Sequence, residues 1–163
     1  MEKEIILLLR KILIALLVVW MIVVFCLSNQ NGEQSGALSK KVALLVSFGN
    51  EKTAETIEPT VRKVAHITEY AIGAMIFFGI LVTYQKYVLG IRVAMTLGFI
   101  LVFAGLDEIH QAFIVERSAS LIDVGIDAFG AALGLLGACL LEGMIKIIDD
   151  KVKEEVERTE GDN

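Results

Sequence analysis

Four stretches of this chain are apolar and about as long as a bilayer core is thick, roughly 20 residues at 1.5 Å each. They cover residues 5–27, 64–84, 88–106 and 121–141. In hydrocarbon a backbone must satisfy its own hydrogen bonds, so apolar runs of this length fold as helices. The chain is 55% hydrophobic, with a mean hydropathy of +0.67 and a single proline in 163 residues. That composition excludes a soluble domain of this size. The expected fold class is all-α: an integral membrane four-helix bundle over residues 1–145. A charged tail over 146–163 follows, with Lys and Glu at helical spacing.

The basic residues orient the bundle. Nine of them, Lys3, Arg10, Lys11, Lys86, Arg92, Lys146, Lys151, Lys153 and Arg158, fall on one side, against six (Lys40, Lys41, Lys52, Arg62, Lys63 and Arg117) on the other. The richer side is expected to be cytoplasmic, which puts both termini there. The first loop, about Ser28 to Lys63, then lies outside the cell. Within it, Leu38 to Phe48 has the pattern of a short amphipathic helix that lies flat on the membrane or caps the bundle. Pro59 stands where the second span is expected to start. Cys26 and Cys139 both sit in apolar runs and read as buried packing residues. The net charge of −5 owes much to the tail, and no basic stripe or reader motif points to nucleic acid.

Against this apolar background, ionisable residues stand at the ends of three spans. A charge at the bilayer centre costs about 2.5–3.5 kcal/mol on insertion scales, and less near the interface. On the second span, His66, Glu69, Tyr70 and Gly73 occupy one helical face. Asp107, Glu108, His110 and Gln111 close the third span, where Asp107 is expected beside His110 and Gln111, with Glu108 pointing elsewhere. Asp123 and Asp127 open a stripe on the fourth span that continues through Gly130, Gly134 and Gly137. Gly98 and Gly105 supply small residues to the third. Small residues let membrane helices approach closely, so these three faces are expected to meet in the bundle interior. The polar groups would then form a single extracytoplasmic layer, with Arg117 as the nearest cation.

Several chemistries suit that layer. His66, Glu69, Asp107, Glu108 and Asp127 are metal-ligating types, although no compact motif such as His-Glu-x-x-His is present. A His–carboxylate pair suits general acid–base work on water or a lipid headgroup. Buried carboxylates also suit a proton path, but the other half of these spans lacks ionisable residues. Ser118 and Ser120 read as caps of the fourth span. The bland alternative is that polar groups only hold the helices together, at about 0.6 kcal/mol per hydrogen bond. So many charges on one side, from three helices, favour a site. The sequence specifies neither a metal nor a cofactor.

The same residues form a recognisable pattern. Lys63-x-x-His66-x-x-Glu69-Tyr70 resembles the first motif of the VanZ-like family. Asp107-Glu108-x-His110-Gln111-x-Phe113, Arg117 and Asp123-x-x-x-Asp127-x-x-Gly130-x-x-x-Gly134 are similar to its second. Ser28-x-Gln30 is similar to a weaker feature, and the resemblance reaches about Leu141. The chain departs in having Val115-Glu116 where Pro-Gly commonly precedes the Arg.

The resemblance implies a multi-pass bacterial cell-membrane protein with an envelope role, in a family named for teicoplanin resistance. It supplies no reaction. Together these readings lead to an outward-facing pocket for a membrane lipid or lipid-linked envelope precursor. Lys63 and Arg117 would hold an anionic group. His66, Glu69, Asp107 and Glu108 are the candidates for chemistry, and Tyr70, His110, Gln111, Asp123 and Asp127 for further binding contacts. An effect on glycopeptide susceptibility is one expectation. A non-enzymatic structural protein and a proton-coupled transporter are the alternatives.

Overall fold

The computed structural model describes residues 2–30, 32–114 and 120–161, so Arg117 and Ser118 lie outside the described residues. Five helices follow in chain order: α1 (Glu2–Ser28), α2 (Gly32–Val46), α3 (Glu51–Val82), α4 (Leu89–Gln111) and α5 (Leu121–Gly161). All but α2 are long and apolar enough to cross a membrane, and no strand occurs among the described residues. The protein is a helical membrane bundle.

α3 is the central element and packs against all four other helices. Its 32 residues span about 48 Å, well beyond a hydrocarbon core of about 30 Å. It starts not at Pro59 but eight residues before it, after Asn50, whose side chain accepts a hydrogen bond from Thr53 N at 3.1 Å. Pro59 lies inside the helix. The Asn50 cap and the helix-forming run behind it outweigh a proline that falls between the first turns and the membrane segment. α2, longer than the amphipathic segment expected from sequence, folds back along this extension. Ala43 and Ala54 are fully buried, and Lys40 donates to Glu55 at 3.0 Å. That bond raises the Lys40 pKa above its ordinary value. Phe48 (φ 52°) and Gly49 (φ 84°) make the reversal between the two helices.

Two apolar clusters form the core. Trp20 and Val24 of α1, Tyr70 and Ala74 of α3, Ile100 and Ala104 of α4, and Ala131 of α5 form the larger. Phe78, Leu135 and Ala138 form the smaller. α3 and α5 approach so closely that a side chain at Gly130 would meet the Ile67 backbone, and one at Gly134 the Ala71 backbone. At the end away from the polar residues, two cations bind the helices together. Arg10 donates to the Thr83 hydroxyl and carbonyl at 2.9 and 2.8 Å, and Arg92 donates to Glu142 at 2.6 Å.

Three expectations about packing are corrected. Gly98 and Gly105 have nothing within 4 Å of an added Cβ, so they do not make the α4 interface. Thr96, Ile100 and Ala104 face inward instead, on a stripe set by the helical period and continued by Asp107 and Gln111. Gly137 likewise meets open space, because the α5 stripe turns inward through Ala138. Cys26 is exposed rather than buried, while Cys139 is half-buried; both are free thiols. Two of the helices extend beyond the expected spans. The third span's helix continues past Leu106 to Gln111, and α5 runs unbroken through the tail to Gly161.

Candidate functional site

The face of α3 that carries His66 and Glu69 also carries Arg62, one turn earlier. This row meets the last turn of α4 and the first turns of α5. The extra turn of α4 is what brings Asp107, Glu108 and Gln111 into the layer. Gln111 Nε2 donates to Asp107 Oδ2 at 2.7 Å, as expected for an i, i+4 pair. Glu108 turns toward α5, where its Oε2 accepts the Ser120 backbone N–H at 2.7 Å. Ser120 Oγ in turn accepts Ile122 N at 3.2 Å. The Glu108–Ser120 bond fastens the end of α4 to the start of α5, and Asp127 lies about two turns deeper along α5.

Asp127 is 1% exposed and lies 3.4 Å from His66, Oδ1 to Nδ1. That is ion-pairing distance, yet neither Asp127 oxygen nor His66 Nδ1 has a hydrogen-bond partner among the described residues. The same holds for Glu69 Oε1, Arg62 Nε and the Tyr70 hydroxyl. Leaving a buried polar group unpaired costs about 1–3 kcal/mol, and lipid offers it no partner. The layer therefore carries hydrogen-bonding capacity that these side chains do not use on one another. Glue would consume that capacity.

Two cavities open into the layer. One, of about 80 Å³, lies between α1, α2, α3 and the end of α4 and is lined by His66, Glu69, Asp107 and Gln30 among others. The second, of about 380 Å³, lies between α3, α4 and α5 and reaches Lys63, Glu108, Asp123 and Asp127. Arg62, His66 and Gln111 line both, so the two cavities share a polar wall and together make up the candidate chamber. Lys63 is exposed at its rim.

Two of the residues singled out from sequence sit elsewhere. Tyr70 is fully buried in the core beneath the chamber, edge-on to Trp20 at 6.0 Å between ring centroids. His110 turns away from the chamber and lies over the Phe25 ring at 4.9 Å. Two residues that sequence reasoning passed over stand at the layer. Arg62 was signalled by its position four residues before His66. Trp20 donates its indole N–H to the Glu69 carbonyl at 2.8 Å, a contact that no spacing announces. No group of three or more His, Cys, Asp or Glu among the described residues is arranged to hold a metal ion.

A model of one protein family, described as VanZ/LLP1, matches residues 13–142. The match runs from within α1 into α5 and so includes every chamber residue. No curated protein and no solved structure matches the chain.

Proposed function

From a chain that belongs to the VanZ/LLP1 family of membrane proteins, we propose a binding function: its polar chamber takes the headgroup of a lipid or lipid-linked envelope precursor. The observation that carries this reading is the buried, unused hydrogen-bonding capacity of Glu69 and Arg62 beside the loosely paired His66 and Asp127, in the cavities at one end of the bundle. The distribution of positive charge supports a chamber facing out of a bacterial cell membrane, with both termini inside.

The balance of charge in the chamber narrows the ligand. Glu58, Glu69, Asp107, Glu108, Asp123 and Asp127 outnumber Arg62, Lys63 and His66, and Arg62 is itself paired with Glu58 at 3.1 Å. A bare phosphate would meet repulsion inside. A phosphate at the rim, held by Lys63 and Arg62, suits a headgroup whose other part carries hydroxyl or amine donors for the carboxylates. Arg117, the other cation expected from sequence, lies outside the described residues. When the headgroup belongs to a cell-wall precursor, binding it extends to glycopeptide susceptibility.

The His66–Asp127 pair supports one chemical elaboration. A carboxylate beside an imidazole orients the ring and stabilises its protonated form, which is the arrangement of a general acid–base. Asp127, rather than Glu69, is the orienting partner in that version.

The test is to purify the protein in mild detergent, extract its lipid and weigh it by mass spectrometry. Wild type is expected to be enriched in one headgroup class relative to the source membrane. Arg62→Gln and Asp127→Asn are expected to lose that enrichment at normal membrane levels. Lipid identical to the bulk membrane in all three would overturn the reading.

A further inference from the structure

α1 and α4 touch only sparingly along their length, and an apolar cleft of about 600 Å³ lies between them. Val18, Ile22 and Phe25 form one wall, Phe103 and Leu106 the other. The cleft is open to the lipid side of the bundle, where Val18, Ile22 and Leu106 are 50%, 56% and 59% exposed. Its upper end is not apolar. Asp107 and His110 close it there, and Asp107 also lines the smaller lobe of the polar chamber. Asp107 thus borders both the polar cavity and the hydrocarbon-lined cleft. His110 Nε2 is buried at this junction and has no hydrogen-bond partner among the described residues.

Building on the headgroup reading of the chamber, we propose that this cleft seats the hydrocarbon tail of the same lipid, which enters sideways from the leaflet between α1 and α4. The polar head passes Asp107 into the chamber. The tail ends beside His110, so the phosphate that follows it is assigned to the lobe beyond Asp107, which Arg62 lines. The wall from Val18 to Phe25 is about 10 Å of helix, the reach of a chain segment and not of a headgroup. A tail gains little free energy on moving from lipid into this cleft, because both surroundings are apolar. The cleft therefore supplies direction and access, and the chamber supplies most of the affinity. A ligand of this class is amphiphilic, with one chain placed in the protein and its head turned inward from the membrane surface.

The chain carries its own reporter, because Trp20 is the single tryptophan and packs on Phe103 of the cleft wall at 4.9 Å between ring centroids. A monoacyl phosphatidylethanolamine brominated in mid-chain, added to the purified protein in detergent, is expected to quench Trp20 emission saturably. Val18→Phe and Leu106→Phe fill the cleft from exposed positions that bear no core load, and each is expected to raise the half-saturating concentration at least tenfold. Val19→Phe, on α1 outside the cleft lining and 56% exposed, is expected to leave it unchanged. Binding of the chainless headgroup, glycerophosphoethanolamine, is measured in parallel by calorimetry and is expected to survive cleft filling. Quenching that ignores both fillings overturns the tail site while headgroup binding keeps the chamber reading. Absence of headgroup binding in every protein overturns the chamber reading, and the tail assignment with it.

Discussion

The indole of Trp20 occupies the space above Gly73 that any side chain there would fill. It is held in place by its N–H bond to the Glu69 carbonyl, one turn up the same helix. The chamber and the core are thus joined through two residues, because the turn that presents Glu69 to the cavity is the turn that anchors Trp20.

Gly73→Ala should therefore destabilise the protein although alanine favours a helix by about 1 kcal/mol. Overlap with the indole costs about 1–3 kcal/mol when a tight core is overfilled. The check is the apparent unfolding temperature of the purified protein in detergent, which should fall. Trp20→Phe should lower it too but relieve part of the effect of Gly73→Ala in the double variant.

Glycine substitutions along α5 should split by position. At Gly134 an added methyl meets the Ala71 backbone, which cannot rotate aside, so α3 and α5 must separate. At Gly137 it meets nothing within 4 Å. Gly134→Ala should sharply reduce the amount of folded protein in membranes, whereas Gly137→Ala should leave it unchanged or slightly raised. Equal behaviour of the two would contradict the close approach.

The fastening of α4 to α5 rests on one accepted hydrogen bond. Glu108→Ala removes the acceptor of the Ser120 N–H and should cost about 0.5–2 kcal/mol, the range of a lost helix cap. Glu108→Gln keeps an acceptor oxygen and should unfold near the wild-type temperature. A thermal series of the two variants measures the difference.

At the other end, Arg92 and Glu142 are 14% and 32% exposed. Removing one leaves the other half-buried and unpaired, so Arg92→Leu and Glu142→Leu should each destabilise more than half as much as the double change. A double-mutant cycle on unfolding should return a coupling of about 1–3 kcal/mol.

The chamber residues should separate folding from function. Asp107→Asn retains an acceptor for the Gln111 amide, and Asp127→Asn retains the volume of a residue that makes no hydrogen bond among the described residues. Both should reach the membrane at wild-type levels. Loss of retained lipid without loss of protein, read by extraction and immunoblot, is the expected outcome for Asp127→Asn. Loss of protein would favour polar glue.

Much of this molecule was legible because hydrocarbon imposes strict local rules. Length and apolarity marked four spans, and the helical period placed His66 with Glu69 and Asp107 with Gln111. A short amphipathic pattern marked α2. Arg62 was equally readable from its spacing to His66 and was passed over in favour of Lys63, which lies at the rim. Pro59 misled because a proline signals a helix start locally, while the Asn50 cap and the contact with α2 decide where α3 begins.

What a chain obtains from sequence alone is therefore its set of helices and the polar layer at one end, since both follow from period and from the cost of charge in lipid. Which glycines make contacts is different. Gly130 and Gly134 touch α3 while Gly98, Gly105 and Gly137 face open space, although all five have the same local character. Likewise His110 and Gln111 are neighbours, yet one turns to Phe25 and the other to Asp107. Rotation of each helix about its axis settles these outcomes, and that rotation is set by which partner surfaces pack without overlap, a property of the assembled bundle.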